Sequence, residues 1–141
     1  MKKSYFLCIA ASLCAISALA DNHAINFNQL PTAAQQLIET YFNKNDIRTV
    51  TADMHGSRTE YEVHFIDGSS IEFDTNGQWD EIDSKVAAIN ETLVPVAILE
   101  TIKTRYGKDA KVKKIKIDRQ EYEVDLDNGA ELEFNSNFKM K

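Results

Sequence analysis

The sequence predicts an α+β fold of two tandem units, each a helix followed by antiparallel strands, joined in one acidic domain. Three observations carry this. The segments starting at Tyr61 and Tyr122 match over sixteen positions, and a proline-led amphipathic pattern lies upstream of each. With residues 1–20 set aside, the chain also holds no cysteine, so burial of apolar surface must hold it together.

The first twenty residues read as a signal peptide. Lys2 and Lys3 make a positive start, and Tyr5 to Ile16 is apolar but too short to span a bilayer. Ala18-Leu19-Ala20 is the small-x-small pattern of a signal-peptidase site, which sets cleavage after Ala20 and predicts a periplasmic or secreted protein. Lipid attachment is not expected, because Leu13 precedes Cys14 where a small residue is needed, and Cys8 lies inside the apolar run. Both cysteines leave with the signal, and with them any disulfide, thiolate nucleophile or cysteine metal site. Residues 21–141 are expected to form a single domain with repeats at about 24–83 and 90–141. Loss of Lys2 and Lys3 takes the formal charge from −6 to −8, since residues 1–20 contain no acid. That balance argues against nucleic acid and anionic membrane as partners and would steer a basic partner toward the protein.

In copy one, Leu30-Pro31 precedes Ala34, Leu37, Ile38, Tyr41 and Phe42, spaced as one face of a helix. Val94-Pro95 precedes a similar stripe of Ile98, Leu99, Ile102 and Tyr106. Proline suits a first helical turn, where its missing N–H has no partner to lose; a Thr32–Gln35 capping box would start the first helix slightly later. Asn43 and Gly107 are the expected left-handed residues ending the two helices. Stripes at this spacing predict core, not a cofactor box. A strand should follow each helix, at about Ile47 to Met54 and Lys111 to Ile117. Residues 83–93 are either a linker or an irregular helix.

The matched segments are Tyr61-Glu62-Val63-His64-Phe65-Ile66-Asp67-Gly68-Ser69-Ser70-Ile71-Glu72-Phe73-Asp74-Thr75-Asn76 and, from Tyr122, the corresponding run through Asn128-Gly129 to Asn137. Each reads as a hairpin. A two-residue Asp67-Gly68 turn would set apolar side chains of one strand against charges of the other. A three-residue loop Ile66-Asp67-Gly68, with Gly68 left-handed in a bulge, instead faces Val63 to Ile71 and Tyr61 to Phe73. Asp127-Asn128-Gly129 should do the same for Val124 with Leu132 and Tyr122 with Phe134. A further strand, Gln78 to Ile82, follows in copy one.

This register collects acid on the other face. Glu62 falls opposite Glu72, Glu60 opposite Asp74, Glu123 opposite Glu133 and Asp125 opposite Glu131, each pair destabilising by roughly 0.2–1 kcal/mol. Copy two carries Lys114 and Lys116 within reach of Glu121 and Glu123, whereas copy one offers only Arg48, so its face should be the less neutralised. Such a face is either a solvated surface kept acidic for solubility or a recognition surface for a cation or basic partner. Trp79 has two alternatives. A bulged Thr75-Asn76-Gly77 loop turns it inward opposite Phe73; a two-residue Asn76-Gly77 turn places it outward beside Glu72, where it would be a hot-spot candidate.

No catalytic constellation stands out. His23, in a start expected to be flexible, His55 and His64 lack zinc spacing. The glycines after Asp74 and Asp125 sit wrongly for an EF-hand. There is no Gly-x-Ser-x-Gly, phosphate loop or HExxH, and five glycines with short loops leave little chain for an acid-lined cleft. No cofactor, metal site or catalytic residue is expected.

The tandem pattern of Leu30-Pro31 with Tyr41-Phe42, then Tyr61-Glu62-Val63 through Asp67-Gly68 and Ile71-Glu72-Phe73 to Asn76-Gly77-Gln78-Trp79, resembles the exported PepSY-like proteins described as β-lactamase-inhibitor-like. The likeness covers residues 21–141, although copy two runs Asn137-Phe138-Lys139 without the Gly and Trp. It implies helices laid on one face of sheets that join into a single curved surface. It also implies, by analogy with inhibitors of this fold, docking of a protein on the open face, with no catalytic residue to carry over. The expected function is therefore a non-enzymatic binding module that modulates a protein partner through Glu60, Glu62, His64, Glu72, Asp74 and Trp79. The alternative is a divalent-cation or small-ligand binder using the same carboxylates.

Overall fold

Both helices start directly after a proline. In the computed structural model, which describes residues 21–141, α1 spans Thr32–Tyr41 and α2 spans Val96–Tyr106, with Pro31 and Pro95 as their extended N-cap residues. The Thr32–Gln35 capping box does not form. The Gln35 amide instead donates to the Leu30 carbonyl at 2.7 Å. Gly107 ends α2 at φ +95, as its lack of a Cβ allows. Asn43 does not end α1: it is extended at φ −94, and its side chain accepts from the Asn45 N–H to open a 3-10 turn, Lys44–Asp46. An Asn that caps the next turn needs extended backbone, so it cannot also be left-handed. The signal-peptide reading concerns residues outside those described.

Eight strands follow one another in a single antiparallel sheet ordered β1 to β8. They are β1 Asp21–Ala24, β2 Ile47–His55, β3 Arg58–Phe65, β4 Ser70–Phe73, β5 Trp79–Asp83, β6 Val112–Asp118, β7 Glu121–Leu126 and β8 Glu131–Phe134. Strand β1 corrects the expectation of a flexible start: His23 lies opposite Ala52 on the sheet edge. Its backbone covers groups that β2 would otherwise leave bare, a common protection of an edge. The duplication extends to topology, since β1–α1–β2 and β5–α2–β6 each carry the chain through a helix between neighbouring strands. Between the copies the chain is irregular. Ser84 and Ile89 donate to the Lys113 and Val112 carbonyls at 2.8 Å, and a 3-10 turn, Glu91–Leu93, leads into α2.

Helix and sheet share one core. Ala34 and Ile38 of α1, Ile98 and Ile102 of α2, and Val63, Ile71, Phe73, Ile82, Ile115, Val124 and Phe134 from the strands form a continuous buried cluster spanning both copies. Tyr41 and Tyr106, expected on the apolar stripes, stay exposed at the helix ends, while Phe42 stacks on Phe65 at 5.3 Å. Strand side chains alternate between faces, so the buried set fixes the other face as open. The helices cover one face and the acids occupy the other.

Candidate functional site

Glycine corners set the register that builds this open face. Gly68 takes φ +88 and its N–H donates to the Phe65 carbonyl, closing the three-residue loop the sequence predicts. Tyr61 then pairs with Phe73, Glu62 with Glu72, Val63 with Ile71 and His64 with Ser70. Gly129 at φ +87 repeats the device, pairing Glu123 with Glu133 and Asp125 with Glu131.

The next corner decides Trp79. Asp74 N–H donates to the Gln78 carbonyl, Gly77 is left-handed at φ +82, and Trp79 pairs with Phe73. This is the inward alternative, with the indole packed against the core, so Trp79 is absent from the acidic face. Asp74 is also withdrawn from simple pairing. The β3–β4 ladder stops at Phe73, leaving Glu60 without Asp74 as a partner across it, and Asp74 Oδ1 accepts the Asn76 and Gln78 N–H groups at 2.8 and 2.9 Å. A side chain holding the corner in this way is fixed by the turn, not offered outward.

A bulge in β5 supplies two acids that the sequence reading missed. Glu72 pairs with Glu81 but Phe73 with Trp79, so Asp80 is the extra residue. A bulge re-aims a side chain at constant strand direction. Trp79 and Ile82 both join the core, and Asp80 and Glu81 are left together on the open face. The signal was present: apolar residues three apart in Trp79-Asp80-Glu81-Ile82 break the period of two.

Asp53, Glu60, Glu62, Glu72 and Asp80 line a shallow depression of about 180 Å³, with Asn22 and Thr51 beside them. His64 Nε2 lies 2.9 Å from Glu62, and His55 Nε2 lies 3.0 Å from Asp53. Among the described residues no Lys or Arg forms an ion pair with Glu60, Glu62, Glu72 or Asp80. The Asp53 Oδ1 atom is buried and accepts no hydrogen bond among the described residues, while Oδ2 pairs with His55. Desolvation, then the charges of Glu81 and Glu62, raises the Glu72 carboxyl above its ordinary value. Desolvation, then Asp74 and Glu60, does the same to Asp80, against the opposing pull of Arg58.

Lys114 and Lys116 do not neutralise Glu121 and Glu123 as expected. The register sets Lys116 opposite Glu123, yet the ammonium groups reach across the junction of the copies to Glu81, at 2.7 Å from Lys114 and 3.4 Å from Lys116. Glu81 is buried, with 9 % of its surface exposed, so a flexible lysine gains more by satisfying it than by joining solvated glutamates. Copy two is balanced differently: Lys141, at the end of the chain, forms a hydrogen-bonded ion pair with Glu121. Among the described residues no group of three His, Cys, Asp or Glu side chains converges to hold a metal ion, and no helix is long and apolar enough to cross a membrane.

Comparison with known proteins agrees with this architecture. Residues 18–60 and 59–141 match a family described as "Putative beta-lactamase-inhibitor-like, PepSY-like". Three solved structures from Bacteroides are similar over nearly their whole length. A "putative periplasmic protein" of the DUF2874 family from Bacteroides vulgatus is 37% identical, with a TM-score of 0.81, covering 86% of this chain and 94% of that one. A "putative calcium-regulated periplasmic protein" from Bacteroides thetaiotaomicron is 36% identical, with a TM-score of 0.79 and the same coverage of 86% and 94%. A second Bacteroides vulgatus protein, described as periplasmic and of unknown function, is 30% identical, with a TM-score of 0.77, covering 85% and 96%. No curated protein matches the sequence.

Proposed function

The chain belongs to this PepSY-like, beta-lactamase-inhibitor-like family, and on that premise we propose that it is an exported module whose acidic sheet face docks a basic protein partner and modulates it. Membership makes it a non-enzymatic binding fold, and the periplasmic descriptions of its relatives support export; cleavage after Ala20 is the site proposed from Ala18-Leu19-Ala20 alone. The observation that carries the reading is the uncompensated depression of copy one. Register and bulge gather Glu60, Glu62, Glu72 and Asp80 with no ammonium or guanidinium among the described residues to pair them. Like charges held this close lower stability, and a basic surface arriving there would convert that repulsion into charge-assisted contacts and speed encounter. Asp74 adds to the field from the corner, and His64 flanks it beside Glu62.

A photocrosslinker attached through Glu62→Cys tests this: it should trap one dominant protein in periplasmic extract, and Glu60→Gln with Asp80→Asn should abolish the adduct. Capture unaffected by those changes would refute docking through the acids. Divalent-cation binding by the same carboxylates ranks second, favoured by the calcium-regulated description of the Bacteroides thetaiotaomicron relative. Heat on calcium titration, lost in Glu72→Gln, would support it.

A further inference from the structure

The depression of copy one has a counterpart in copy two that carries its own lysine. Asp118, Glu121, Glu123 and Glu133 line a second hollow of about 150 Å³, together with Lys141. Residue by residue these are the equivalents of Asp53, Glu60, Glu62, Glu72 and Asp80. Tyr61 pairs with Ala52 and Phe73, and Tyr122 pairs with Ile117 and Phe134, which aligns Asp53 with Asp118 and each glutamate with its repeat. The final corner aligns the last pair. Asn135 N–H donates to the Lys139 carbonyl and Phe138 N–H to the Asn135 carbonyl, as Asp74 and Gly77 do in copy one. Asn135 Oδ1 accepts the Asn137 and Lys139 N–H groups at 3.0 Å, repeating the Asp74 cap. Phe138 takes φ +59 where copy one has Gly77, and Met140 bridges Phe134 where Trp79 faces Phe73. Asp80 therefore stands where Lys141 stands.

From this pairing we propose that the copy-one depression is a receptor for one lysine side-chain ammonium of the partner, seated among Glu60, Glu62, Glu72 and Asp80 as Lys141 is seated in copy two. The inference rests on the docking role assigned to the acidic face and adds the chemistry of what enters it. Two observations beyond the number of acids support it. Lys141 shows that an ammonium is held beside these glutamates: it hydrogen-bonds Glu121 alone, and the charges of Glu133 and Glu123 add to that bond in favouring its charged form. In copy one the buried Asp53 Oδ1 lacks a donor among the described residues. Lysine is chosen over arginine because copy two itself places a lysine at the position of Asp80, and its compact ammonium with three rotatable donors can bond carboxylates that do not converge, whereas the planar guanidinium prefers one carboxylate edge.

The experiment uses the full exported chain and the peptide Ac-Gly-Lys-Gly-NH2, followed by amide chemical shifts. Saturable shifts are expected at Glu60, Glu62, Glu72 and Asp80, with none when the peptide lysine is Nε-acetylated. Asp80→Lys should weaken binding at least ten-fold by plugging the hollow from within, and Asp80→Asn should weaken it less. Lys141→Asp should open a second set of shifts at Glu121, Glu123 and Glu133. Shifts spread evenly over exposed acids, a response to calcium but not to lysine, or a Lys141→Asp variant that gains no second set would overturn the proposal. If the crosslinked partner were still captured with Asp80→Lys in place, the lysine receptor would fail while docking by the wider face stood. If the Glu62→Cys crosslinker captured no specific partner even with Asp80 intact, both would fall.

Discussion

Glu72 lies directly across the β3–β4 ladder from Glu62 and, on its other side, pairs with Glu81 of β5. Three carboxylates thus cross the open face in one row, and among the described residues only Glu81 of the three receives lysines.

This row makes stability depend on pH with a definite sign. Burial, then Glu81 and Glu62, raises the Glu72 carboxyl from its ordinary 4.5. Between the ordinary and the raised value the folded state holds a proton that the unfolded chain releases, so stability falls as pH rises through that window. Glu72→Gln is expected to stabilise the protein at pH 7 by roughly 0.5–1 kcal/mol, with the gain shrinking toward pH 4. Urea melts at the two pH values measure it, and a gain that persisted unchanged in acid would contradict the charge origin.

Glu81 has the opposite character, because it is buried and paired with Lys114 and Lys116. Glu81→Ala should cost about 1–3 kcal/mol, as expected when a buried carboxylate's charge-assisted contacts to two half-exposed lysines are lost. Its hydrogen bond to Glu81 raises the Lys114 ammonium from an ordinary 10.5. That stabilisation is complete below the ordinary value and is lost as pH climbs through the raised one. Wild type and Glu81→Ala should therefore converge in melting temperature above the raised value, and a constant gap would argue for packing instead of charge.

Two glycines should respond differently to the same change. A Cβ on Gly77 would lie 2.7 Å from Pro31 Cβ and 3.0 Å from the Ala34 nitrogen, whereas one on Gly68 meets only Lys85 Cγ at 3.5 Å. Both have positive φ, so each alanine carries about 1–2 kcal/mol of left-handed cost. Gly77→Ala adds a clash with the start of α1 and should be clearly the more destabilising in chemical denaturation. Equal losses would mean that the helix start yields without cost.

The shared core predicts cooperative behaviour. Ile38 and Ile102 are almost wholly buried, at 0% and 1% exposure, in one cluster. Alanine at either should cost about 2–5 kcal/mol, and both variants should still unfold in a single transition that takes the two copies together. A second calorimetric peak in Ile102→Ala would show that the copies melt separately.

Much of the fold is written locally. Val63 and Ile71 alternate with charge, Gly68 and Gly129 mark the loops, and the proline-led stripes mark the helices. Each signal involves residues a few positions apart, so the hairpin registers and the placing of Glu60, Glu62 and Glu72 on one acidic face follow from the sequence. Strand β1 does not, because Asp21–Ala24 has no apolar alternation and becomes a strand only when β2 offers its edge.

What the sequence determined by itself, then, is the repeat, the turns and which side chains share a face, because glycine corners and a period of two act over short stretches of chain. The tertiary structure alone decided which lysines meet which acids. Lys114 and Lys116 reach Glu81 because β5 and β6 become neighbours, and Lys141 reaches Glu121 because the final corner folds back. Long charged side chains take the best-placed opposite charge in space, and that choice exists only once distant strands are side by side.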